Sequence, residues 1–459
     1  MRYRKERDLL GSVRLPADAY YGSETQRAVE NFPISGMRLQ KEFLSAYFML
    51  KKAAAKANMR AGKLDSRKGK AIIAACDELL ADKLADQFVV DLFQAGAGTS
   101  TNMNVNEVIA NMSIVKLGGR KGDYSVVHPN DHVNMSQSTN DTFHSVLHVA
   151  AYLMLRDRLE PAVEALRASL ESKAREYIRV VKIGRTHLQD AVPITVGQEF
   201  SAHAHSMRVA GERIGLAMRE LAHIPLGGTA VGTGMNAPEG YKKFVVRELS
   251  RLTGIKLKSP RSLFFEMQDQ TTEAFVASVL KTLAISLNKI ANDLRLLGSG
   301  PRAGIGELTL PTVQPGSSIM PGKINPSIAE MLNMVCFQVM GNAAAVTEAA
   351  NAGQLELNVF MPVIAYNILF SIGILSNAIV VFDRRCVRGI EVNKEAISKM
   401  LSNNLALATA LSPYIGYSRA SQIAKKAYKE GKSIKEVCLE LGILDKKSLD
   451  EILEPKRLV

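Results

Sequence analysis

Tryptophan is absent from this chain, and cysteine is scarce. Four cysteines, Cys76, Cys336, Cys386 and Cys438, are scattered over 459 residues without CxxC spacing. That pattern offers neither a disulfide framework nor a thiolate metal site, and free thiols fit a reducing cytosol. A cytoplasmic protein is expected, with no metal and no cofactor. The opening residues, MRYRKERDLLGSVRLP, contain no apolar run of the kind a secretory signal needs. Long Pro/Gly tracts are also missing, and 47% hydrophobic with 22% charged residues is ordinary for a soluble globular protein. Concentrated positive charge is lacking too. The net charge is +13, but the basic residues are dispersed, the densest clusters are pairs such as Lys425-Lys426 and Lys446-Lys447, and no aromatics interleave with them. A nucleic-acid footprint needs a basic patch or stripe, so no nucleic-acid partner is expected. A diffuse positive field suits a small dianionic substrate.

One long apolar stretch is present, Val363–Phe382, long enough to span a membrane. Asn367, Ser371 and Asn377 interrupt it, and no second stretch like it is expected. A helix apolar all round is what the centre of a large bundle requires, so a buried bundle helix and no membrane partner are expected. Helical periodicity and good helix formers mark Glu42–Ala61, Lys68–Leu84, Leu147–Arg175, Gln198–Ala222, Glu273–Leu297, Ile328–Ala350 and Pro362–Phe382. Pro161 is a possible kink in the third of these. Several exceed the ~10–14 residues usual for globular helices, which points to an elongated bundle. Segments rich in Gly, Ser, Thr, Asn and Pro connect them: Gln94–Asn106, Val127–Asp141, Ile183–Pro193, Leu226–Asn236 and Thr312–Pro326. The expected fold is mainly α, in three domains. Residues 1–141 would carry substrate-binding loops, 142–390 a long central helical bundle, and 391–459 a small helical domain.

The segment Gly316-Ser317-Ser318-Ile319-Met320-Pro321-Gly322-Lys323-Ile324-Asn325-Pro326 sets two hydroxyls, an ammonium and an amide between glycines and prolines. Asn325-Pro326 reads as an N-cap followed by Pro at the first helical position, and Ser327 with Glu330 has capping-box spacing. Helix N-termini attract anions, so Lys323 and neighbouring amides suit a carboxylate. A serine in a Gly-flanked loop can move over a substrate held there. A plain polar turn before a helix is the bland alternative. Other polar clusters are Gly98–Asn104, Ser136–Asp141 and Gly184–Asp190. For these, turn bonding, helix capping and an ordinary histidine are the default readings. His203 and His205 lie two apart on a helix, face different sides, and make poor metal ligands.

The Gly316–Asn325 string resembles the signature of the fumarase/aspartase superfamily, in the form found in class II fumarases and aspartases. The resemblance runs from Ala17–Gly22 to Ala424–Gly431. It implies Ser317 as the catalytic base, acting as an alkoxide in a dry, positively charged site, with Ser318 (through its backbone), Lys323 and Asn325 binding carboxylate. It also implies that Thr99, Ser100, Ser138, Thr139, Asn140 and Thr186 line the substrate site. His187 would be catalytic and paired with Glu330, which would hold its tautomer or charge. His128-Pro129-Asn130-Asp131 resembles a secondary anion-binding turn of fumarases, although Val126 stands where a basic residue is usual. The family implies a homotetramer around a multi-helix core, each active site drawing on three subunits, and a small dicarboxylate substrate.

Members of this family abstract a proton β to the leaving group and pass through an aci-carboxylate that needs dense hydrogen bonding. Ala97-Gly98-Thr99-Ser100, Thr139, Tyr20-Tyr21-Gly22, Gln314-Pro315-Gly316 and Ala352–Asn358 resemble aspartases. Asn358-Val359-Phe360 and Tyr414–Tyr417 resemble fumarases, the second occurring in aspartases too, while Met361 and Thr142–Ser145 match neither. On balance the resemblance implies elimination of ammonia from L-aspartate to give fumarate. Class II fumarate hydratase is the alternative, and a catalytically inert structural member a further one.

Overall fold

The structure, a computed structural model, describes residues 2–454 and 457–459. Helix makes up 62% of the chain, and the sheets of named strands are antiparallel pairs. The expected mainly α fold is therefore present. The helices expected from periodicity are found at Lys41–Arg60, Ser66–Leu80, Thr139–Met154, Glu160–Glu176, Val196–Leu221, Thr271–Leu297, Ser327–Asn351 and Met361–Arg385. Pro161 lies in one continuous helical run, in which a π-helical turn, Leu155–Leu159, separates Thr139–Met154 from Glu160–Glu176 just before the proline. The chain divides into two compact units. One comprises Met1–Pro161, Glu212–Ala284 and Phe337–Ser376, the other Ala162–Gly211, Ile285–Cys336 and Asn377–Val459.

The first unit opens with a hairpin, Tyr3–Asp8 against Gly11–Pro16. Its core is built around the buried rings of Phe43, Tyr47 and Phe143. Phe43 lies 4.7 Å from Phe143 and 5.6 Å from Tyr47 between centroids. Each such ring contributes about 1.5–3 kcal/mol by burial. Gly98 is where the backbone meets this cluster. A Cβ there would lie 2.1 Å from the Phe143 ring, and its φ of +82° favours glycine. The Ser66–Leu80 helix starts on Asp65, whose carboxylate accepts from the N–H groups of Arg67 and Lys68.

In the second unit, Val181–Thr186 pairs antiparallel with Gln189–Thr195. This hairpin rests on a buried ionic cluster: Lys182 Nζ is 2.6 Å from Glu307 Oε2 and 3.0 Å from Glu199 Oε2, and Arg185 is 2.7 Å from Glu307 Oε1. Short C-terminal helices pack Leu411, Ile423, Val437, Cys438 and Leu449 into a core of their own.

Four features differ from the sequence reading. Gln94–Asn106 is not a connection throughout, because a helix, Thr99–Lys116, begins inside it. Its asparagines, poor helix formers in water, are buried and bonded side chain to side chain or to backbone. Ile183–Pro193 is most of a hairpin. A second helix, Thr271–Leu297, is long and apolar enough to cross a membrane by composition, beside Met361–Gly389. About half of each window is buried inside the chain. Finally, Asn325 does not cap the next helix. Its amide bonds Lys323 and Gly316 instead. All four cysteines are free and buried, and His203 is buried where His205 is exposed.

Candidate active site

Thr99 stands exposed at the first position of its helix, followed by buried Ser100 and Thr101. Thr101 is tied through its N–H and its hydroxyl to Gln94 Oε1, both at 2.8 Å. In the same unit, Ser138 caps the Thr139–Met154 helix. Its hydroxyl accepts from the Asn140 N–H at 3.2 Å, while Asp141 Oδ1 accepts from the Ser138 N–H at 2.9 Å, so Ser138 and Asp141 form a capping box. The other Asp141 oxygen accepts from the N–H groups of Gly227 and Thr229, at 2.9 and 3.0 Å. Asn140 Nδ2 donates to Ala230 O at 2.8 Å. The Leu226–Asn236 segment is thereby strapped to the helix start that carries Ser138, Thr139 and Asn140. Burial pushes the Asp141 carboxyl up to about 6, against the pull of its three N–H donors. Thr142–Ser145 does not disturb this helix. The Thr142 hydroxyl donates to Ser138 O, and Ser145 to Asp141 O.

Asp141 and Asn102 were missed as candidates. So was Lys51, buried in the Lys41–Arg60 helix and donating to Asn102 at 2.8 Å. A signal was available: Lys51 is four residues after Tyr47 and eight after Phe43, on the apolar stripe that faces the core. The His128 turn lies in this unit too. His128 Nδ1 accepts from the Asn130 and Asp131 N–H groups at 3.2 Å. A cavity of about 820 Å³ beside it is lined by Arg7, Arg27 and His128.

In the second unit, residues Thr312 to Ile324 fold around a cleft of about 560 Å³ that includes Ser317 and Lys323. Ser317 Oγ accepts from two backbone N–H groups, Ile319 at 3.2 Å and Met320 at 2.9 Å. Lys323 Nζ bonds Asn325 Oδ1, and Asn325 Nδ2 donates to Gly316 O at 2.5 Å. This closes the loop on itself. Gly316 makes the closure possible, since a Cβ there would lie 2.2 Å from Lys323 O. Ser318 is exposed. Thr186 and His187 are exposed at the tip of the Val181–Thr195 hairpin. His187 and Leu188 have φ of +53° and +59°. A two-residue hairpin turn of this hand normally uses Asn-Gly, so two bulkier side chains here store strain of a kind that collects at functional sites. Glu330 lies 3.8 Å from Arg295. No hydrogen bond or ion pair joins His187 to Glu330 within the chain among the described residues.

Chemically, the loop places two N–H donors on a serine oxygen beside an ammonium and an amide. Those are the groups that stabilise negative charge on a hydroxyl and on a carboxylate. Comparison with known proteins agrees with this character. The family described as "Lyase" matches residues 11–341, and "Fumarase C C-terminus" matches 407–459. A class II fumarate hydratase of Thermosynechococcus vestitus is 49% identical over 97% of this chain and 96% of its own. An aspartate ammonia-lyase of a Bacillus species is 46% identical over 98% and 96%. The crystal structure of a Brucella melitensis protein described as "fumarate lyase:delta crystallin", bound to cobalt, superposes with a TM-score of 0.95 at 48% identity, covering 99% of each chain. Most similar relatives are named class II fumarate hydratase. A polar helix-start site, a self-closed serine loop and relatives matched over nearly their whole length lead to one conclusion: the chain belongs to the fumarase/aspartase superfamily of lyases.

Proposed function

We propose that this lyase is a class II fumarate hydratase, interconverting L-malate and fumarate plus water. The observation that carries the chemistry is Ser317 Oγ receiving N–H groups from both Ile319 and Met320. Two fixed donors stabilise an alkoxide, and an alkoxide takes a carbon-bound proton where a neutral hydroxyl does not. Ser317 removes the proton from the malate carbon that lies between the carbinol carbon and a carboxylate. The electron pair moves into that carboxylate, forming the aci-carboxylate. Lys323, Asn325 and the Ser318 backbone hold this charge. The pair then returns to form the C=C bond as the hydroxyl leaves, protonated, as water. Thr99, Ser100, Ser138, Thr139, Asn140 and Thr186 hold the substrate. His187, with Glu330, handles the proton of the leaving group. The working enzyme is a homotetramer whose active sites draw on three subunits, so His187 and Glu330 meet between chains.

The hydratase reading over the ammonia-lyase reading rests on the names carried by most of the similar relatives. Thr139 and Ala97-Gly98-Thr99-Ser100 support the ammonia-lyase reading, as does the 46% identical Bacillus relative. The two are separated by incubating the protein with L-malate and with L-aspartate and following fumarate by ultraviolet absorbance. Turnover of malate and not aspartate is expected. Turnover of aspartate alone would overturn the hydratase assignment, and turnover of neither would favour an inert structural role.

A further inference from the structure

A lysine with no surface exposure lies in the first unit beside the segments that carry Thr99 and Thr139. Lys51 Nζ donates to Asn102 Oδ1 at 2.8 Å, Asn134 Oδ1 at 2.9 Å and Gln137 Oε1 at 3.0 Å. A buried ammonium usually faces a carboxylate. Here three neutral amide oxygens take that place. Burial pushes Lys51 down to about 7, opposed by the charge of Asp141. A methionine would fill similar volume without that cost, so the charge itself calls for a role.

An ammonium has three donors and no acceptor, which obliges each amide to turn its oxygen toward it. For Asn102 the consequence reaches further. Its Nδ2 is turned the other way and donates to Thr139 Oγ1 at 3.0 Å and to Asn134 Oδ1 at 3.2 Å. Having accepted there, the Thr139 hydroxyl keeps its own hydrogen for another acceptor. It makes no other hydrogen bond among the described residues. We infer that Lys51 is a positioning residue which, through Asn102, sets the Thr139 hydroxyl as a hydrogen-bond donor to a substrate carboxylate. This rests on the proposed function, which puts Thr139 in the dicarboxylate site. The polarity runs one way, from ammonium to amide to hydroxyl to carboxylate, and the low dielectric around it strengthens each link.

The test is a pair of double-mutant cycles on the full-length enzyme: Lys51→Met with Thr139→Val, and Asn102→Asp with Thr139→Val. Asn102→Asp keeps Lys51 paired with a carboxylate, so it folds even where Lys51→Met does not. That carboxylate cannot donate, and it takes the Thr139 hydrogen for itself. Malate kinetics, fumarate affinity and thermal midpoints are read for every variant. Losing a donor to a charged group raises KM and the fumarate Kd by about tenfold or more. The contact is made equally in ground and transition states, so kcat changes by less than about threefold. In the Thr139→Val background neither substitution raises KM further, because the route runs through that hydroxyl. Lower midpoints with unchanged KM would overturn the inference, as would an equal rise in KM in both backgrounds, which would signal simple charge repulsion. A wild-type protein that binds no four-carbon dicarboxylate would overturn the proposed function and this inference together. A failed cycle in an active enzyme overturns the inference alone.

Discussion

Two histidines one turn apart on the Thr139–Met154 helix show how local partners decide charge at the scale of a residue. His148 Nδ1 faces His223 O at 2.6 Å, and Nε2 faces Glu273 Oε1 at 3.0 Å. Both partners are acceptors, so both ring nitrogens carry hydrogens and the imidazole is a cation. Burial opposes that charge, but the Glu273 charge and hydrogen bond outweigh it and hold the His148 pKa above its ordinary value. His144 is fully buried without a carboxylate hydrogen-bonded to its ring among the described residues, and burial pushes it down to about 4. A raised folded pKa stabilises the fold fully below the unfolded value of about 6.5, and the contribution is lost as pH rises through the folded value. The stability lost in His148→Gln should therefore be greatest below about pH 6.5 and shrink as pH rises through the raised folded value. Denaturant unfolding of wild type and variant across pH measures it. A difference that grows with pH would contradict a charged His148.

Elements hold the catalytic candidates by different means. Gly98 admits the Phe143 ring beneath the start of the Thr99 helix. Gly98→Ala combines a clash with a left-handed backbone, and should cost about 3 kcal/mol or more. A wild-type unfolding midpoint in that variant would show that the contact has slack. The hairpin bearing Thr186 and His187 depends on Glu307, which is 1% exposed and contacts Lys182 and Arg185. Removing one partner of a buried ion cluster costs about 3–5 kcal/mol. Glu307→Gln should thus speed amide exchange along Val181–Thr195 and lower kcat/KM, with unchanged exchange as the contrary result. The helices were legible in the sequence because each keeps an apolar stripe, as with Phe43, Tyr47 and Leu50. The Thr99–Lys116 helix was not. Its asparagines read as turn formers, and only the partners brought by distant segments, such as Tyr20 O for Asn111, make them helical. The Thr186–His187 hairpin was hidden for a related reason, since its turn uses His-Leu in place of Asn-Gly. Of the active-site candidates, Ser317, Lys323 and Asn325 were readable as one short string. Lys51 and Asp141 act through residues far away in sequence, so their roles appear only in three dimensions.

Across the whole molecule, the long helices leave large apolar side chains on the surface of the single chain, among them Phe275, Ile285, Met334 and Phe337. Exposed apolar side chains of this size are ones that association with other copies would cover. The proposed tetramer would cover such side chains, and the apolar stretches that resemble membrane spans would become its centre. Sedimentation should give a mass near four times the 50.0 kDa chain, and a stable, active monomer would contradict shared active sites. Phe337→Glu puts a charge at one of these exposed apolar positions. It should break the assembly and reduce turnover by at least about 100-fold, as expected when the catalytic groups are no longer brought together. The central claim, however, is that Ser317 takes a proton from carbon, and one comparison tests it directly: the rate of fumarate formation from L-malate by wild type and by Ser317→Ala, at matched fumarate affinity and thermal midpoint. The account predicts a loss in kcat of about 1,000-fold or more with affinity nearly unchanged. A Ser317→Ala enzyme that forms fumarate at the wild-type rate would contradict it.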